Sequence, residues 1–315
     1  MVIDFSTHYI TGSVAKMLTP AGRETISIEN TEIEERLSVM ARYGIAIQVV
    51  CLTTPALLGL QSKGAAKACH AANDSIYELC EKYPDRFAGL AIVSLLDVES
   101  AVEEVDRAIK ELGLRGVTVA TNQNGVGLDS PHYRPFYERI AKYDIPLFIH
   151  PTDWKSYPLI EGENGYGLMM TIGWPFDTTQ AMCHLVFGKI LEQYPSLKVV
   201  THHLGGFLPS SRVESSGAFL REKLGLKKTL SEYFKQFYGD TALSGMGTIR
   251  KEIMSCGYAF FGPNHIVFGS DYPYGGENGE KNIRENLRTI QNMDIPEEEK
   301  RRILEENARK LLKLP

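Results

Sequence analysis

Histidines and an aspartate stand at the ends of four short apolar runs that lie far apart in the chain. Ser6-Thr7-His8 follows Val2-Ile3-Asp4-Phe5, and His150-Pro151 follows Pro146-Leu147-Phe148-Ile149. His202-His203-Leu204-Gly205-Gly206 follows Leu197-Lys198-Val199-Val200, and Gly269-Ser270-Asp271-Tyr272-Pro273 follows Ile266-Val267-Phe268. Neutral imidazole nitrogen and carboxylate oxygen form a donor set for Zn²⁺ or a similar divalent ion, and a catalytic ion needs one coordination position left open. Such an ion lowers the pKa of a water or grips substrate oxygens as charge develops on them. Taken singly, each residue has an ordinary structural reading: His8 closes a strand, His150 is a satisfied core histidine before a proline turn, and Asp271 caps a turn. The chemical reading requires a fold that sends all of them to one rim.

The apolar runs are short enough to be strands buried on both faces. Strand-like and helix-like patterns alternate from end to end, which is the signature of parallel βαβ construction. The count reaches eight strands, over 2–5, 45–52, 87–94, 114–120, 146–150, 197–202, 236–241 and 265–270. Amphipathic stretches lie between or after them, over 31–43, 65–83, 97–112, 132–143, 177–193, 210–222, 248–257 and 281–292. Asp97, Ser130-Pro131 and Asp177 are helix starts, and Gly44 and Gly113 are stops. The pattern predicts a single (β/α)8 TIM barrel over residues 1–315. An extra C-terminal helix begins at Pro296-Glu297-Glu298-Glu299, its acids first and its bases last, as the macrodipole favours; the expectation is that it packs on the outside. Long loops after strands 1, 5 and 6 fall on the face where barrel enzymes work.

A chain of 315 residues with 43% hydrophobic content buries a large core, and a net charge of -5 offers no basic footprint for nucleic acid. No apolar stretch approaches the length of a membrane span and no leader pattern opens the chain, so the expectation is a cytoplasmic protein. Five dispersed cysteines without a C-x-x-C pair argue against a disulfide framework and a thiolate zinc site. No phosphate-binding G-x-x-x-x-G-K, dinucleotide loop or G-x-S-x-G elbow occurs.

Together, Ile3-Asp4-Phe5-Ser6-Thr7-His8, Phe148-Ile149-His150-Pro151, His203-Leu204-Gly205-Gly206 with Pro209, and Gly269-Ser270-Asp271-Tyr272-Pro273 resemble the amidohydrolase superfamily. The chain is most similar to its branch of aminocarboxymuconate-semialdehyde and hydroxybenzoate decarboxylases. Leu112-Gly113-Leu114-Arg115-Gly116-Val117, Trp174-Pro175-Phe176-Asp177-Thr178-Thr179 and Tyr194-Pro195-Ser196-Leu197-Lys198 extend the likeness over nearly the whole chain.

The resemblance implies a metal-dependent decarboxylase acting on an aromatic or conjugated carboxylic acid. The alternatives are a metal-dependent hydrolase of an ester, lactone or amide, and a barrel that binds a small acid after losing its metal. It implies His8, His150 and Asp271 as ligands of one divalent ion, zinc first and manganese or another ion next, with His203 and Asp271 moving protons. Ser6 stands where the family has its first ligand, so the coordination shell is expected to have a gap there. His202 is the rival of His203, and strand alternation predicts that only one of the two enters the barrel; spacing to the glycines favours His203, leaving His202 to pack outward or to orient its neighbour. Arg212, Trp154, Trp174 and Phe176 are the candidate substrate contacts, with Arg212 suited to a carboxylate. His70, His132, His184 and His265 are expected to be structural or exposed. The expected partner is the small-molecule substrate, with a homodimer or higher homo-oligomer allowed.

Overall fold

The computed structural model describes residues 1–20, 33–152, 167–211, 217–243 and 247–315. The alternation read from the sequence becomes eight parallel strands: β1 (Val2–His8), β2 (Ile45–Cys51), β3 (Phe87–Gly89, resumed at Ala91–Ile92), β4 (Val117–Ala120), β5 (Pro146–His150), β6 (Lys198–Thr201), β7 (Tyr238–Asp240) and β8 (Ile266–Val267). Ladders join β1 to β2 to β3, and β3 onward through β4, β5, β6 and β7 to β8. Leu90 bridges the two halves of β3, its N–H donating to Val50 while Ala91 donates to Gly116. The ring closes where Phe5 N–H donates to the Phe268 carbonyl at 2.8 Å and Asp271 N–H to the Ser6 carbonyl at 2.9 Å. The architecture is a (β/α)8 barrel.

Alternation along each strand divides the core. Leu147 and Ile149 of β5 and Val199 of β6 join the large cluster under the helices, whereas Phe148 and Val200 join Ile3, Phe5, Val49 and Val267 in a separate inner cluster. Phe5 and Phe148 meet edge to face, 5.9 Å between centroids. A register shift between Asp4 and Thr7 changes the phase of β1. Ile3 and Phe5 below the shift and His8 above it therefore share the inner side, and His8 meets the rings of His150 and His202 there.

Helices follow the expected amphipathic stretches: Ile33–Arg42, Ser62–Lys82, Val98–Lys110, Arg134–Tyr143, Trp174–Phe187, Gly217–Leu224, Arg250–Phe261 and Glu280–Gln291. Asp97 caps its helix by accepting from Ser100 N–H at 3.2 Å. Asp177, in contrast, does not start a helix. That helix opens three residues earlier, and the Asp177 carboxylate is buried, accepting from Thr121 Oγ1, from Asn122 Nδ2 at 3.0 Å and from Thr152 N–H at 3.1 Å. It ties the loops after β4 and β5 together. A further helix, Leu230–Phe234, carries a Thr229/Glu232 capping box.

The C-terminal helix does more than line the outside. Ile303 accepts from the Phe268 N–H at 2.9 Å, and Ala308, Leu311 and Leu312 join the inner cluster beside Ile3 and Phe5. Among the described residues no helix is long and apolar enough to cross a membrane.

Candidate active site

Four strand ends bring His8, His150, His202 and Asp271 together, all buried, with one ligand atom from each lying within 4.8 Å of all the others. His8 Nε2 is 3.1 Å and His202 Nε2 is 3.5 Å from Asp271 Oδ1. Both spacings are short enough for the two donors to share one ion with bonds of about 2.1 Å. Three imidazoles and a carboxylate in this arrangement fit a divalent cation.

Each of the three histidines is held from behind. The Nδ1 of His150 lies 2.7 Å from the Pro151 carbonyl and 3.1 Å from Thr54 Oγ1, which itself donates to the Pro151 carbonyl at 2.8 Å. His8 Nδ1 lies 3.6 Å from the Cys51 thiol. His202 Nδ1 sits 2.5 Å from Asp240 Oδ2, at the end of β7. Holding the second nitrogen of a ligating histidine fixes both its ring and its tautomer.

His8, His150 and Asp271 are therefore brought together as expected, but the expectation for His202 fails. The β5–β6 ladder pairs Phe148 with Val200 and Ile149 with Thr201, so the next pair in phase is His150 with His202. Their rings stack at 4.6 Å and 24°. Alternation alone then turns His203 away, but β6 has already ended at Thr201 and His203 adopts a left-handed φ of +52°. The chain folds back over the site, so the rings of His202 and His203 lie 3.8 Å apart. Gly206 makes this turn feasible: a Cβ there would stand 2.1 Å from the Pro175 carbonyl oxygen. The same close approach brings Trp174 over His203, nearly parallel at 8° and 6.5 Å.

Ser6, where a gap in the coordination shell is expected, stands outside the cluster. Ser6 is fully buried, and its Oγ lies 3.3 Å from His202 Nδ1, on the side of the ring that Asp240 holds. The fourth residue of the cluster is His202, from the end of β6. The paired signal was present in the sequence: Phe148-Ile149-His150 and Val200-Thr201-His202 share one spacing.

The charges follow from this packing. Burial opposes a charge on His202, but Asp240 and then Asp271 outweigh it and raise the imidazole to about 10. Burial, and next the charge on His202, lower His203 to about 3. Burial and then the neighbouring histidines hold His150 well below the usual range. Burial works to raise Asp271, yet hydrogen bonds from His202 and His8 outweigh it and keep the group a carboxylate. His203 Nδ1 is buried without a hydrogen-bond partner among the described residues.

Of the candidate substrate contacts, Trp174 lines the site through His203, and Phe176, two residues on, is 40% exposed. Trp154 and Arg212 lie outside the described residues. His70 and His184 pair with Asp74 and Asp129 on helices, His132 is exposed, and His265 packs on Tyr238. None of the four joins the cluster. All five cysteines are free.

A family model described as amidohydrolase matches residues 59–314. The chain is 28% identical over 300 residues to a gamma-resorcylate decarboxylase of Polaromonas sp. strain JS666, covering 89% of this chain and 87% of that protein. It is 29% identical over 245 residues to a 2-amino-3-carboxymuconate-6-semialdehyde decarboxylase of Dictyostelium discoideum, covering 76% and 66%. A solved dihydroxybenzoic acid decarboxylase from Polaromonas sp. JS666, with bound manganese and the inhibitor 2-nitroresorcinol, superimposes with a TM-score of 0.81 at 25% identity, covering 99% of this chain and 97% of that one.

Proposed function

This chain belongs to the amidohydrolase family, and from that premise we propose that it is a metal-dependent decarboxylase acting on an aromatic or conjugated unsaturated carboxylic acid. The observation that carries the reading is the buried His8, His150, His202 and Asp271 cluster with His203 and Trp174 beside it. Decarboxylase relatives over most of the chain support the reaction class.

Those four residues would hold one divalent ion, and the chemistry it would supply is that of a Lewis acid for substrate oxygens and for negative charge as it develops. Three imidazoles and one carboxylate favour Zn²⁺. Manganese, bound in the Polaromonas structure, is the competing ion.

His203 is the proton donor in this proposal. Burial and His202 keep it neutral in the empty protein, but an anionic substrate alongside supplies the opposite charge that favours its protonated form. The imidazolium then gives its proton to the carbon that bears the carboxylate. The bond between that carbon and the carboxylate breaks, its electron pair returns to the conjugated system, and CO2 leaves. Trp174, parallel to His203, walls the site for a flat acid. Asp271 stays ionised as a ligand, and Arg212 is assigned to a substrate carboxylate on its chemistry.

The test is metal analysis of protein purified without chelator, followed by CO2 release from a panel of hydroxybenzoates and muconate-type acids and hydrolysis of esters and lactones. Decarboxylation with a bound divalent ion is expected. Hydrolysis without CO2 release sinks the reaction, and full activity after exhaustive chelation sinks the metal.

A further inference from the structure

We propose that Asp240 positions two adjacent histidines at once, fixing His202 as the ligand that replaces the donor lost at Ser6 and fixing the turn that carries His203. The inference rests on the metal site proposed above. Asp240 is fully buried at the end of β7, and both of its oxygens are committed. Oδ2 faces His202 Nδ1 at 2.5 Å, while Oδ1 accepts from the His203 N–H at 2.9 Å and the Ala242 N–H at 3.1 Å.

A carboxylate only accepts hydrogen bonds, so when His202 gives up one proton to bind the ion, the proton it keeps sits on Nδ1, facing Asp240. Its Nε2 lone pair is then free to face the position that Asp271 shares. The backbone half of the contact matters equally, because φ +52° at His203 is a conformation that side chains with a Cβ seldom adopt. The N–H bond to Asp240 holds it, and with it the 3.8 Å approach of the two rings.

Positions 6 and 202 compete for one space. Ser6 Oγ already lies 3.3 Å from His202 Nδ1, and Gly269 is packed so closely that a Cβ on it would come within 2.9 Å of the Ser6 Cβ. An imidazole fits at one of the two positions, and this chain has placed it on β6. Ser6→His alone is therefore expected to crowd His202, and only Ser6→His with His202→Ser moves the ligand back to β1.

Zn²⁺ affinity of the metal-free full-length chain, measured by chelator competition, tests this. In Asp240→Asn the carbonyl oxygen serves the two backbone N–H groups and the amide donates to His202 Nδ1, pushing the imidazole proton to Nε2 where the ion must bind. Affinity should fall by about 10- to 100-fold. In the Ser6→His/His202→Ser background the same Asp240→Asn change should leave affinity unaltered, since the histidine that Asp240 orients towards the ion is gone and its remaining bonds, to the His203 and Ala242 N–H groups, hold no proposed ligand. A folded Asp240→Asn protein with parental affinity overturns the proposal, as does an equal loss in both backgrounds, which marks a structural role. NMR of the Zn²⁺-loaded parent with ¹⁵N-labelled histidine needs no change at Asp240: the resonance lost in His202→Gln should report a proton on Nδ1, and a proton on Nε2 refutes the assignment. Unchanged affinity in His202→Ala would instead refute the ligand set on which the proposal rests.

Discussion

The ends of β1 and β6 are both short, both buried and both end in polar residues, yet they deliver their side chains by different rules. β1 runs through to His8 but changes phase at the register shift between Asp4 and Thr7, so one residue reaches the cluster and Ser6 falls behind the His202 ring. β6 stops at Thr201, and the left-handed turn at His203 and Leu204 brings two consecutive histidines to the same place. Alternation binds only while the backbone stays extended. A chain that leaves its strand early can present adjacent residues to one site, and here that places His202 of the cluster beside His203, the proposed proton donor.

Removing a donor from either strand end is the harshest test of this contrast. His8→Ala and His202→Ala should each lose the bound ion and reduce CO2 release to background, as read by metal analysis and by a CO2-coupled assay. If His202→Ala keeps its ion while His8→Ala does not, the two strand ends are not equivalent donors and the site reverts to three protein ligands.

His203→Ala comes next. It should lower kcat by about 10²- to 10⁴-fold with the ion retained, the usual contribution of a positioned acid. This separates the adjacent histidines by kind of loss, metal content for His202 and turnover for His203. An ion lost from His203→Ala would erase the distinction.

Much of this was readable because parallel strands are nearly continuous apolar runs and their polar ends mark the working rim. The positions of His8, His150 and Asp271 followed from that alone. Alternation misplaces His202 because the strand has ended before His203; Gly205-Gly206 signals that the chain turns, and the spacing shared with β5 gives the phase. The Leu230–Phe234 helix was passed over although Thr229 and Glu232 spell its capping box. Asp177 has the composition of a cap, but its role depends on Thr121, Asn122 and Thr152, which only the fold brings near. The replacement of a β1 donor by a β6 donor needs the distance between Ser6 and His202, which no spacing along the chain encodes.

A milder change probes what the turn after β6 presents to substrate. Trp174→Leu removes the ring parallel to His203, and loss of such stacking is worth about 0.5–1.5 kcal/mol, roughly a two- to tenfold rise in KM. Steady-state kinetics should show kcat nearly unchanged. A fall in kcat with KM constant would mean that Trp174 acts by holding His203 and not by contacting substrate.

The smallest effect lies lower on β1, where a second aspartate has no cation donor in its hydrogen-bonding shell. Asp4 accepts from Ser270 N–H at 2.9 Å, Ser270 Oγ at 2.6 Å and Gln48 Nε2 at 3.3 Å. Burial nevertheless outweighs these bonds and the nearby Arg36 charge, raising its carboxyl from 3.8 to about 7. A folded-state pKa above the unfolded value favours the protonated form in the fold. Its stabilising contribution is complete below the unfolded pKa and is lost as pH rises through about 7. Metal-free protein should therefore lose thermal stability as pH rises from about 4 to about 7, the window between the two pKa values, whereas Asp4→Asn should lack that part of the slope. Asparagine suits the site, because Gln48 Oε1 has no hydrogen-bond partner among the described residues and can accept from the new amide once the Gln48 amide flips. Melting curves of the two proteins across that range decide the matter: parallel pH profiles would mean that Asp4 is ionised in the fold throughout, and that the lower part of β1 tolerates a buried carboxylate as readily as its upper end does.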